Sequence, residues 1–383
     1  MKRILLLDID GVLVRPLGYR AALRASLATF AAWMGCDSFQ VEEALISELE
    51  AQGISSEFDM LPLLVGALFD AILATSGPLV LSADPEQAAH QVAALQPQPP
   101  RHLQVPTFPL QEGIFPAEAA YRNGIYPHLP EELRRSLLLN TRDVFQSATT
   151  RLFQQYVLGS RRFGEVYGLP AQVQAPAYLQ IYDQPLLDSI CRTRLENAWR
   201  RGEIRAAAMT ARPSLPPRGA TSDGEPYPPE AEAALELIGL PDLPLVGLGK
   251  LAYVARQAKL AVESLLKPAP AQALAATLVA LGEDELPALE RVVAWLRQPS
   301  QALRCEHLPE QMELHVVEDT LGGIRSARAA ATVLQQSGYS VCVYAWGLTD
   351  GTPLKRETLA RHGVNCCDTW EEILDQMGLS EVR

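Results

Sequence analysis

The chain has 383 residues, 48% of them hydrophobic and 20% charged, and a formal net charge of −12. That length exceeds one small core and calls for two domains, or for one domain carrying a large insertion. The acidic balance excludes a general nucleic-acid surface, which needs clustered Lys and Arg, but leaves room for a small phosphorylated ligand held by a local cation.

The chain opens on a short apolar run, residues 3–7, that ends in Asp8-Ile9-Asp10-Gly11. Continuous apolar strands of this kind belong in parallel sheets buried on both faces. The run is too short for a secretory signal and meets two acids, so no leader is expected and the protein is expected in the cytoplasm. Helical periodicity follows over residues 21–33, 41–52, 61–74, 130–158 and 186–201. The stretch 96–116 is rich in proline and predicts a loop or crossing connection. Residues 61–81 are apolar enough to raise the question of a membrane span. Asp70 in their middle, with Pro62, Gly77 and Pro78, predicts a buried helical hairpin instead, and no membrane partner is expected.

Short apolar strands then return at residues 204–209, 243–247, 313–317 and 340–345, with helical patterns at 251–265, 286–299, 323–336 and 356–362. Such alternation predicts a doubly wound parallel sheet. The loop 213–229 is broken by proline and glycine and is expected to be irregular and exposed. The whole reads as an α/β core, residues 1–14 and 203–383, with a mainly helical insertion over 15–202. The six cysteines, Cys36, Cys191, Cys305, Cys342, Cys366 and Cys367, have no metal-binding spacing and read as reduced, mostly buried side chains. The histidines likewise form no ligand grouping.

In open α/β sheets ligands bind beyond the carboxyl ends of the strands. Asp8, Asp10, Thr210 and the Glu318-Asp319 pair all stand at such ends. Acidic side chains converging there are what a hard cation such as Mg2+ requires, since it takes oxygen ligands and a substrate phosphate together.

Four segments carry a family resemblance. LLLDIDGVL resembles the first motif of the haloacid dehalogenase (HAD) superfamily, and Met209-Thr210 at a strand end resembles the second. Lys267-Pro268-Ala269-Pro270 is similar to the K-P-x-P form of the third, and VVEDTLGGIRSA to the fourth. They occur in the family's order, and the helical insertion falls where the family places its C1-type cap. The resemblance implies a HAD-like, Rossmann-like core and a magnesium-dependent phosphomonoester hydrolase acting on a small phosphorylated metabolite. It implies Asp8 as the nucleophile that becomes an aspartyl-phosphate, and Asp10 as the acid and base. Thr210 and Lys267 are implied to hold the phosphoryl oxygens. Asp8, the Asp10 carbonyl, Asp319 and Glu318 are implied around the cation.

An aspartate is already ionised at neutral pH, so it can attack phosphorus with no base to activate it. Lys250 is a rival to Lys267 as the phosphate-binding lysine, because it too follows a predicted strand, but Pro268 and Pro270 favour Lys267. Asp183, Arg192, Arg194 and Arg212 are expected on the solvated surface rather than at a substrate, and Tyr178 and Tyr182 as one packed helix face. Two other functions stand beside hydrolysis: phosphoryl transfer of the phosphoglucomutase type, and a non-catalytic binding module on the same fold. Haloacid dehalogenation is disfavoured, since that chemistry does not use the second aspartate.

Overall fold

A computed structural model describes residues 1–76, 79–100, 102–111 and 113–379. Eight strands occur among them: β1 (Lys2–Leu7), β2 (Val14–Arg15), β3 (Gln184–Pro185), β4 (Ile204–Met209), β5 (Leu245–Val246), β6 (Gln311–Glu318), β7 (Ser340–Leu348) and β8 (Asn365–Cys367). Six of them form a parallel sheet in the order β5-β4-β1-β6-β7-β8, so the direction of winding reverses between β1 and β6. The sheet is doubly wound and Rossmann-like, as the alternation predicts.

The reason lies in the apolar runs. Side chains alternate along a strand, and here both sets are buried. Ile4 and Leu6 enter one core with Met312, Leu314 and Val316, while Leu5 and Leu7 enter a second core on the other face with Ala206, Ala208 and Val317. Alanines at 206, 207 and 208 leave room for the helices Pro270–Ala280 and Ser189–Arg200 to pack close to β4.

The chain divides into two units, Met1–Pro16 with Asp183–Arg383, and Leu17–Tyr182. The return boundary therefore lies near 182 and not at 202. Helix Ser189–Arg200 packs on β4 and on helix Trp370–Gln376, and buried Arg194 donates to the Leu379 carbonyl (3.1 and 2.7 Å) and to Asp375 (2.5 Å). Those partners belong to the α/β unit. The chain leaves that unit after β2 and re-enters it at β3, and the two crossings pair as an antiparallel ribbon.

The second unit is helical with its own core. Helix Glu57–Ser76 is long and apolar enough to cross a membrane, yet 72% of its apolar stretch is buried among its neighbours. Residues 61–76 are thus part of one continuous helix and not a hairpin; Gly77 and Pro78 lie outside the described residues. Asp70 is accommodated because it accepts from the His128 backbone N–H (2.9 Å). The periodic stretch 130–158 is two helices, Glu131–Leu138 and Ala148–Leu158; Asn140 takes a left-handed conformation between them and Ser147 caps the second by accepting from Thr150 N–H (3.3 Å). Tyr178 and Tyr182 pack edge to face, with ring centres 4.8 Å apart. The described cysteines carry no disulfide.

Candidate active site

Strand register brings the acids together. Leu7 pairs with Val317, so the next residues, Asp8 and Glu318, leave neighbouring strands at the same level; Asp8 N–H still donates to the Val317 carbonyl (3.1 Å). This is the point where the strand order reverses, the usual place for a ligand in such sheets. Asp8, Glu318 and Asp319 each offer a carboxylate oxygen within 4.8 Å of the others. Three hard oxygen donors this close fit a small divalent cation such as Mg2+, and no soft ligand is among them.

Two glycines leave the space those carboxylates fill. Gly11, at φ +71°, has its missing side chain replaced by Asp319, and Gly323 by Glu318. Gly323 lies in the first turn of the helix Leu321–Gln336, which starts two residues after the acidic pair.

Lys267 reaches the same spot from the loop before helix Pro270–Ala280. Its Nζ lies 2.9 Å from Asp8 Oδ1 and 2.7 Å from Glu318 Oε1. Burial works against its charge, but Asp8 and Glu318 carry its pKa above the ordinary lysine value. Burial, together with the charge of Asp8, pushes the Glu318 carboxyl well above the carboxylate range. Burial also raises Asp319, although Lys355 lies 2.8 Å from its Oδ2 and pulls the other way. Three carboxyl groups therefore face two ammonium groups in a largely buried cluster.

Thr210 directly follows β4 and is buried, with its hydroxyl accepting from Arg212 N–H (3.1 Å). Fully buried Gln272 ties three pieces of the site. Its amide donates to the Thr210 and Val246 carbonyls (2.8 and 2.9 Å), and its oxygen accepts from Lys267 N–H (3.3 Å). Asp10 stands apart from the acid cluster: its side chain accepts from Arg212 Nε (2.7 Å).

No family model matches the chain, and no curated protein matches it. Two solved structures do. One is the X-ray structure of a Northeast Structural Genomics Consortium target, at 13% identity and TM-score 0.63, covering 98% of this chain and 99% of that one. The likeness runs the length of both chains and shows a shared fold. The other is a phosphatase from Thermococcus thioreducens, at 15% identity and TM-score 0.43, covering 93% of this chain and 98% of that one.

Several side chains stand elsewhere than expected. Lys250 is buried with Glu285 (2.7 Å), whereas Lys267 is the lysine on Asp8. Asp183, Arg194 and Arg212 are buried, not solvated: each meets a charge distant in sequence, which no local pattern reveals. Arg192 is half-buried and reaches the Ile238 carbonyl (3.4 Å). The loop 213–229 is irregular but anchored, with Ser214 fully buried and accepting from Gly249 N–H (3.1 Å). Gln272 and Lys355 carry no motif; each is the third residue of a helix that opens on proline, Pro270–Ala280 and Pro353–Ala360.

Proposed function

We propose that the chain is a Mg2+-dependent phosphomonoester hydrolase of the HAD type, acting on a small phosphorylated metabolite. The observation that supports this reading is the meeting of Asp8, Glu318 and Asp319 within 4.8 Å at the tips of two adjacent parallel strands, with Lys267 against Asp8. A solvated turn would not gather three acids in a buried place, because like charges out of water repel strongly unless a cation is intended there.

Asp8 is the nucleophile. Its free oxygen forms a bond to phosphorus as the ester P–O bond breaks, and Asp10 gives its proton to the departing oxygen. Water then attacks the aspartyl-phosphate, its proton passes to Asp10, and inorganic phosphate leaves with Asp8 regenerated. Lys267 and Thr210 hold phosphoryl oxygens, the first as a point charge and the second through its hydroxyl. Lys267 is already charged and aimed at Asp8, so it needs no reorganisation to receive the growing negative charge. Asp8, Asp319 and Glu318 would hold the cation, with the Asp10 carbonyl. Bound there, such a cation would supply charge screening between the Asp8 carboxylate and the phosphate.

The test is hydrolysis of an aryl phosphate with Mg2+, with chelator, and with Asp8→Asn. Metal-dependent phosphate release absent from Asp8→Asn supports the reading. Equal background in all three reactions would leave the chain a binding module on this fold. A panel of metabolite phosphates then ranks substrates.

A further inference from the structure

Arg212 lies two residues beyond Thr210, and nothing in the proposed chemistry uses it. Its side chain is 1% exposed, yet it carries a full charge. Nε donates to Asp10 Oδ1 at 2.7 Å, and Nη2 lies 2.5 Å from that same oxygen and 2.8 Å from Asp183 Oδ2. Asp183 is as buried as Arg212, while Asp10 is 35% exposed. Asp10 is therefore the one partner of the three that faces open space, and the buried pair stands behind it.

The placement of Asp183 adds a second point. It is the first residue of the α/β unit after the helical insertion, directly before β3, and β3 pairs with β2, which in turn follows Asp10 by four residues. Asp10 also bridges to Val14, the first residue of β2. Ribbon and guanidinium thus close a loop: Asp10 to β2, β2 to β3, β3 to Asp183, and Asp183 through Arg212 back to Asp10.

We propose that Arg212, backed by Asp183, is the positioning residue that holds the Asp10 carboxyl for proton transfer to the leaving oxygen and from the attacking water. This rests on the phosphatase reading of the same site. Two donors on one oxygen fix the rotation of the Asp10 side chain and leave its other oxygen free to carry the proton. Asp183 keeps the guanidinium from turning away, and it shares in balancing the buried charge. When Asp10 gives up its proton, the carboxylate formed is already hydrogen-bonded.

The experiment compares two substrates that differ in their need for an acid. 4-Nitrophenyl phosphate expels a weakly basic oxygen and needs little protonation; a simple alkyl phosphate expels a strongly basic one and needs it fully. Wild type, Asp10→Asn, Arg212→Lys, Arg212→Met and Asp183→Asn are assayed on both with Mg2+, after their folding is checked by circular dichroism. The Arg212 variants are expected to lose on the order of 10–100-fold in kcat on the alkyl ester, within the range of general acid catalysis, with KM little changed. The loss on the aryl ester should be at most a few-fold. Asp183→Asn, which leaves both Arg212 and Asp10 in place, should show the same skew at smaller size. Adding Arg212→Lys to Asp10→Asn should cost little more than Asp10→Asn alone.

Equal losses on both esters in the folded variants, or full additivity with Asp10→Asn, overturn the assignment and leave Arg212 a structural ion pair. If Arg212→Met does not fold, Arg212→Lys and Asp183→Asn decide between the same outcomes. Wild-type protein that hydrolyses neither ester overturns the phosphatase reading and this one with it; wild-type turnover without the skew overturns this one alone.

Discussion

The Asp319 carboxylate fills the space beside Gly11: a Cβ placed on Gly11 would stand 2.2 Å from Asp319 Oδ2. The glycine is also at φ +71°, where a side chain is disfavoured. Gly11→Ala should cost about 1–2 kcal/mol from the backbone alone and should also push Asp319 out of the acid cluster. Denaturant unfolding reads the first effect and Mg2+ titration calorimetry the second. Unchanged cation affinity would separate Gly11 from the site.

The two adjacent glycines of the helix Leu321–Gln336 should behave oppositely. A Cβ at Gly323 would meet Glu318 Oε1 at 1.6 Å, whereas at Gly322 the nearest atom is 3.7 Å away. Gly323→Ala should lower stability and abolish turnover. Gly322→Ala should be neutral or stabilising by up to about 1 kcal/mol, since alanine favours helix. Thermal melts of the pair check this.

Lys267 and Lys250 are both buried against acids, Lys267 with Asp8 and Glu318 and Lys250 with Glu285. Replacing either by Met strands a buried charge, and each should destabilise by about 3–5 kcal/mol. Only Lys267→Met should remove metal-dependent turnover in the fraction that remains folded. Loss of activity in both, at equal folded fraction, would return the lysine assignment to an open choice.

Lys355 neutralises Asp319 at 2.8 Å, with 29% and 17% of the two side chains exposed. A divalent cation on Asp319 must displace it. A partly exposed pair of this kind is worth on the order of 1 kcal/mol, so Lys355→Gln should tighten Mg2+ binding roughly 3–10-fold. Weaker binding in calorimetry would mean that Lys355 supports the cation instead of competing with it.

A pH effect is expected away from the site. Burial depresses the pKa of His315, whose Nδ1 accepts from Trp346 Nε1 (3.2 Å) and so must be unprotonated in the fold. Its Nε2 is 3.6 Å from Glu313, beyond a hydrogen bond, and does not offset the burial. A histidine with a lowered folded pKa gives stability that is fully present above the unfolded value, near 6.5, and fades as pH falls through the folded one. As pH falls below about 6.5, unfolding midpoints of wild type should drop more steeply than those of His315→Gln. Parallel curves would exclude His315 as the source.

Local patterns already revealed five of the six strands of the sheet, because strands buried on both faces are largely apolar and end where polar residues appear; the short edge strand Asn365–Cys367 carries too few residues to stand out. For the same reason Asp8, Thr210 and Glu318-Asp319 were visible as strand-tip residues, and the glycines beside the acids follow the motif. What the chain's pattern left open depended on pairings between distant segments. Lys250 and Lys267 look alike until packing sends one to Glu285 and the other to Asp8. Helix Ser189–Arg200 reads as part of the insertion until Arg194 meets Leu379 and Asp375. Arg212 and Asp183 look solvated until folding sets Arg212 against both Asp10 and Asp183. Hydrophobic periodicity reports which face of an element is buried, but a buried charge is decided by its partner. That partner is chosen only when the tertiary structure closes.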